Sequence, residues 1–229
     1  MLQDYSRAID QIGDPAFRGV LIRGVGLTLV VFVAVAILAW YLLSLVPEFQ
    51  SDWWSWVNYL VDIGGGLGIV VLMALLFPAI VTMFMSMFLD DIAEAVERKH
   101  YPADSPGREL PFGPALWLSL KFAGIVILLN LLILPLYVLT FIFPPISLVL
   151  FYGLNGYLLS REYFELVAWR HVDKTTARRL RKANQGRLWL VGAFIAFMLT
   201  IPIVNIIWPL VATAAMVHCF KRIQRRSAA

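Results

Sequence analysis

Long uncharged runs alternate with short charged ones along this chain, and that alternation predicts its elements. Gly24 to Val46 is the first such run, rich in Val, Leu and Ala, and Ile63 to Leu89 is the second. A bilayer core of about 30 Å takes roughly 20 apolar residues in a helix, so each run is long enough to cross. The link between them, Pro47 to Asn58, carries Trp53, Trp54 and Trp56, and tryptophan collects at the headgroup level. Long helices are therefore expected over 15–46 and 57–100. Asp14-Pro15 opens the first of them as an N-cap followed by proline at the first helical position.

Two later runs are interrupted by proline. Phe122 to Ser160 contains Pro135 and Pro144-Pro145, while Leu188 to Phe220 contains Pro202 and Pro209 with Asn205 between them. Splitting the last run near Asn205 leaves arms of roughly 21–26 Å at 1.5 Å per residue, short for a full crossing. Both runs read as helix hairpins, over 114–160 and 188–220, that enter the bilayer and turn back inside it; the first of them turns at Pro144-Pro145, and a complete crossing by its first arm is an alternative. Irregular backbone at that depth must be packed in protein or face a wet cavity. Two ordinary proline-kinked spans are the alternative.

The polar segments are amphipathic. Leu2, Tyr5, Ile9 and Ile12 repeat at helical spacing opposite Gln3, Asp4, Arg7 and Asp10, which predicts an interfacial helix within 1–13. A cytoplasmic helix is expected over 161–187, its basic end (Arg178, Arg179, Arg181, Lys182) near anionic headgroups. The fold class is thus an all-α integral membrane protein, one membrane domain over 1–229. It combines two long transmembrane helices, two proline-interrupted half-penetrating hairpins and cytoplasmic amphipathic helices.

Composition removes the competing classes. Hydrophobic residues make up 60% of the chain and charged ones 15%, against about 45–50% and about 25% in a soluble domain. All 19 Lys and Arg fall within Arg7–Arg23, Arg98–Lys121, Arg161–Arg187 and Lys221–Arg226. The positive-inside rule then puts both termini and both long polar loops in the cytoplasm. The net charge of +4 is first a topology signal, and no nucleic-acid partner is expected.

Little in the sequence offers chemistry. Cys219 stands alone, and His100, His171 and His218 are scattered without carboxylates or cysteines at ligand spacing, so neither a metal nor a cofactor is expected. Nucleophile motifs and phosphate-binding loops are absent from the sequence, which argues against an enzyme and against ATP-driven transport. Arg18 and Arg23 sit near the start of the first long helix, whose free N–H groups and positive dipole end suit an oxyanion; snorkelling to the headgroups is the ordinary alternative. Glu94 and Arg98 are four apart and can pair. With Glu97 they are either solvated charges at a helix end or the lining of an ion's inner exit. Asn205, like Asn130 and Asn155, either bonds across helices or, at a hairpin tip, lines a polar path.

Four segments carry a resemblance. They are Asp14-Pro15-Ala16-Phe17-Arg18, Ala93-Glu94-Ala95-Val96-Glu97, the run from Gly156-Tyr157-Leu158 to Arg161-Glu162-Tyr163, and Pro202 to Pro209 leading into Ala212–Met216. In order and spacing the chain resembles the CysZ family of bacterial sulfate permeases, within the wider etoposide-induced membrane protein family. The resemblance implies sulfate uptake across the inner membrane, without ATP hydrolysis and passive or proton-linked, supplying sulfur for cysteine synthesis. It also implies half-penetrating hairpins and homo-oligomers built from dimers. The family's sulfate contacts, carried over, fall on Ala16, Phe17, Arg18 and Gly19, with Arg23 two turns on. Ala16 and Gly19 depart from the family's Gly-hydrophobic-Arg-Arg pattern, and Asp14 adds a negative charge beside it. The expected partners are sulfate or a related oxyanion, the lipid bilayer and further copies of the chain. A non-transporting membrane scaffold or regulator is the alternative function.

Overall fold

The computed structural model describes residues 2–45, 64–108, 124–125, 128–129, 131–136 and 144–228, and over them it is helical with connecting turns and short irregular segments. The tryptophan link, Asn130 and most of the first arm of the 114–160 hairpin lie outside the described residues. Among the described residues, three helices are long and apolar enough to cross a membrane, within Pro15–Leu42, Gly65–Ser86 and Pro202–Ser227. The chain divides into two compact units, Arg18–Phe88 and the remainder, Met1–Phe17 with Leu89–Ala229.

The Arg18–Phe88 unit is built from α2 (Pro15–Ser44) and α3 (Gly65–Ser86). Helix α2 begins at Pro15, as the Asp14-Pro15 signal predicts. At 1.5 Å per residue the two helices are about 45 and about 33 Å long, each enough for a bilayer core. Beyond Arg23, α2 is apolar all round, as is α3, and Ile22, Val30, Ile37, Trp40, Leu67, Val70 and Leu75 stand exposed. Such a surface is stable only in lipid or against other protein. Where the two helices meet, Gly24 leaves room for the Met85 side chain, which would crowd a Cβ there. Farther along, Phe32 and Phe77 pack edge to face at 6.0 Å.

The other unit holds α1 (Leu2–Asp10), α4 (Leu89–His100), α5 (Pro144–Ala168), α6 (Lys174–Ala183), α7 (Gln185–Leu199) and α8 (Pro202–Ala228). Where a single helix over 57–100 is expected, the described part has a turn at Met87-Phe88 that separates α3 from α4. Helix α8 is the axis, packed on α1, α4, α5 and α7. It is buried continuously from Trp208 to Lys221. Helices α5 and α7 make the most intimate pair. Trp189 Nε1 donates to the Gly153 carbonyl at 2.9 Å, and a Cβ on Gly156 would come within 2.9 Å of the Ala193 backbone nitrogen. A Cβ on Gly192 would overlap the Gly156 carbonyl. Only glycine permits that backbone-on-backbone approach.

Helix α1 buries Asp4, Tyr5, Ala8 and, just beyond it, Gln11, while Ile9 stays exposed. Its inward face is therefore rotated from the Leu2–Tyr5–Ile9–Ile12 stripe that periodicity picks out. Polar anchors explain the rotation: Asp4 pairs with Arg222, and the Tyr5 hydroxyl donates to the Val191 carbonyl at 3.1 Å. The Tyr5 ring also stacks on Trp208 and meets Phe194 edge-on. Over 161–187, α5 runs on to Ala168 and α6 follows, capped by Asp173, whose carboxylate accepts from the Thr175 and Thr176 N–H groups. Arg181 turns inward to Glu165 at 3.5 Å, leaving Arg178, Arg179 and Lys182 exposed.

Candidate functional site

Helix α2 opens with Pro15, which has no N–H, so Ala16 and Phe17 supply its free first-turn donors. Phe17 is buried, Arg18 is exposed and Gly19 is half-buried. A Cβ on Gly19 would meet nothing within 4 Å, so space beside the turn is open. Arg18 makes no ion pair among the described residues. Asp14, whose charge opposes an anion here, is held by Lys99 Nζ at 2.9 and 2.7 Å from its two oxygens. The lysine cancels the charge that the sequence sets against the site. Arg23 is exposed and lies over the Phe88 ring, 5.6 Å from its centroid. Five residues of helix rotate it about 140° from Arg18 and carry it about 7.5 Å along the axis, so the two arginines lie on different faces.

The three candidate residues of α4, Glu94, Glu97 and Arg98, fall in two environments. Glu94 and Arg98 are exposed and pair at 4.0 Å. Glu97 is buried, accepting from His171 Nε2 at 2.8 Å and from Arg170 Nη2 at 3.4 Å. Burial raises its carboxyl pKa, but the His171 hydrogen bond and the Arg170 charge outweigh that and hold it below the usual glutamate range. Arg170 is 2% exposed. It also reaches Asp90 at 3.4 Å, and its carbonyl accepts from the Arg108 N–H at 2.8 Å. Gly107 lies so close that a Cβ there would be 2.7 Å from Arg170 Nε. His171 stacks on Phe220 of α8, with centroids 5.5 Å apart. This buried cluster locks the end of α5 to α4 and α8. Arg170 and His171 are absent from the sequence-based candidates because nothing local marks them: they stand 73 and 74 positions from Glu97.

Asn205 is half-buried in the first turn of α8, its N–H bonded to the Ile201 carbonyl at 2.8 Å. The break between α7 and α8 falls at Thr200-Ile201, ahead of Asn205. There the Thr200 N–H and hydroxyl both donate to the Phe197 carbonyl, and Pro202 restarts the helix at its first position. Pro209 lacks the N–H that would bond the Asn205 carbonyl, leaving that carbonyl without its helical donor. Asn155 donates to the Phe151 carbonyl of its own helix at 2.9 Å. Its amide is engaged within α5.

No group of three or more His, Cys, Asp or Glu among the described residues is placed to hold a metal. What these residues offer is charge and hydrogen bonding around an α-helical membrane framework. No curated protein matches the chain. The family model described as "Sulfate transporter CysZ/Etoposide-induced protein 2.4" matches residues 4–209. That match and the three candidate spans give the chain a non-enzymatic, sulfate-transport function at the level of the family. The chain belongs to the CysZ/etoposide-induced protein 2.4 family of membrane proteins.

Proposed function

We propose that the chain carries sulfate across a bacterial inner membrane, passively or coupled to protons and without ATP, to supply sulfur for cysteine synthesis. The family match over residues 4–209 carries this reading. The dianion first meets Arg18 and the N–H groups of the opening α2 turn, beside the open space at Gly19. The exposed Glu94–Arg98 pair is the switchable gate, and Glu97 anchors the helix that bears it. Helices α7 and α8 form a re-entrant hairpin: α7 spans only about 22 Å, and the Asn205 carbonyl near its tip is left for a water or a passing ion's hydration shell. The 114–160 run forms a second hairpin. Both termini are cytoplasmic, and the working unit is a homo-oligomer built from dimers.

Radiolabelled sulfate uptake into proteoliposomes without ATP tests this. The expected result is flux well above empty vesicles, reduced about ten-fold by Arg18→Ala. Flux equal to empty vesicles overturns the transport assignment. Full flux in Arg18→Ala overturns the binding site alone.

A further inference from the structure

A cleft of about 670 Å³ opens where α1 and the end of α4 meet the last turns of α8. Five cations line it: Arg7, Lys221, Arg222, Arg225 and Arg226. Two carboxylates oppose them among the described residues, Asp4 paired with Arg222 and Asp104 with Lys221 at 3.0 Å and Arg225 at 3.9 Å. The excess of positive charge is three even after both are counted.

The walls of the cleft are ordered. Lys221 and Arg225 lie over the Tyr101 ring, 5.7 and 5.3 Å from its centroid. His218, only 2% exposed, is hydrogen-bonded through Nδ1 to the Tyr101 hydroxyl at 2.8 Å, and its Nε2 has no partner. When the hydroxyl donates to Nδ1, the neutral ring carries its own proton on Nε2. That leaves a buried donor on a residue that lines the cationic cleft, an arrangement that costs free energy.

We propose that this cleft binds a polyanion bearing two phosphate groups, as pyrophosphate does or as the headgroup of a two-phosphate lipid does. One tetrahedral dianion neither fills the volume, which is many times the roughly 30 Å³ share of a water molecule, nor neutralises the surplus charge. Arginine forks match phosphate oxygens bidentately. The cations occupy the C-terminal end of the third candidate span, and basic pockets at such a level recognise phospholipid headgroups. The assignment is independent of the sulfate route at Arg18.

The test uses the full chain, delipidated in a non-ionic detergent. Calorimetry compares pyrophosphate with sulfate, and native mass spectrometry compares retained cardiolipin with phosphatidylcholine. At least ten-fold preference for pyrophosphate over sulfate identifies a soluble ligand. The same preference for cardiolipin over phosphatidylcholine identifies a lipid. Either preference should fall at least ten-fold in the triple variant Arg7→Gln, Arg225→Gln, Arg226→Gln, whose residues are exposed. It should persist when the same charge is removed from α6 by Arg178→Gln, Arg179→Gln and Lys182→Gln. No preference in either comparison overturns the proposal, as does an equal loss in both triple variants. Sulfate flux in the cleft variant separates the two sites: binding lost with flux retained leaves the transport assignment standing.

Discussion

Helices α2 and α8 would both be taken for membrane spans from composition, yet they meet different surroundings. In the most apolar stretch of α2 only 17% of residues are buried within the protein, whereas in α8 the share is 72%. Helix α2 presents Val, Leu and Ile on every side and leaves the outer surface to lipid. Helix α8 runs Ala212-Thr213-Ala214-Ala215 through its middle, all buried, and small residues let four neighbours close around it. Hydropathy measures how unwelcome a helix is in water; the size of its side chains decides whether lipid or protein takes water's place.

That contrast can be broken by mutation, most violently with glycine. Gly192→Leu on α7 sets a side chain against the Gly156 carbonyl and Ser160, and backbone cannot step aside as a rotamer can. The expected outcome in size-exclusion chromatography is loss of monodisperse protein. Gly26→Leu on α2, where a Cβ meets nothing within 4 Å, should leave the profile and Tm unchanged.

Next in size is the buried charge. Glu97→Ala leaves the buried Arg170 with only the exposed Asp90 and takes the acceptor from His171, which should cost about 3–5 kcal/mol in detergent unfolding, while Glu94→Ala on the exposed side of the same helix should cost less than about 1 kcal/mol. Because the Glu97 pKa is lowered in the folded state, its contribution is complete above the unfolded carboxyl value and fades as pH falls through the folded one. Wild-type Tm should therefore hold from neutral pH into the weakly acidic range and drop below it, with a shallower drop in Glu97→Gln. Smaller again, Leu210→Ala in the α8 core should cost about 2–4 kcal/mol, and Leu38→Ala, exposed on α2, less than about 1 kcal/mol. Equal losses at Leu210 and Leu38 would erase the distinction between the two helices.

Much of this was legible in the sequence. The all-helical class, the start of α2 at Pro15 and the proximity of Glu94 to Arg98 follow from spacing and capping rules that act over a few residues. The α7–α8 break lies at Thr200-Ile201 rather than at Asn205, because Pro202 has no N–H to continue α7 and holds the residue before it out of the helical region. The rotated face of α1 and the Glu97–Arg170–His171 cluster could not be read at all. Each depends on partners brought from distant parts of the chain, and periodicity sees only one helix at a time. The arginines of α8 stand out in the sequence, but their convergence with Arg7 and Tyr101 exists only in three dimensions.

The contact between Gly156 and Gly192 also limits how the protein can move. With main chain resting on main chain, α5 and α7 have no cushion of side chains to shear across, and their crossing acts as a weld. Whatever rearrangement accompanies ion passage must swing this pair as one lever, and its pivots have to lie outside the weld, where Thr200-Ile201 and the turn after Ala168 interrupt the rods.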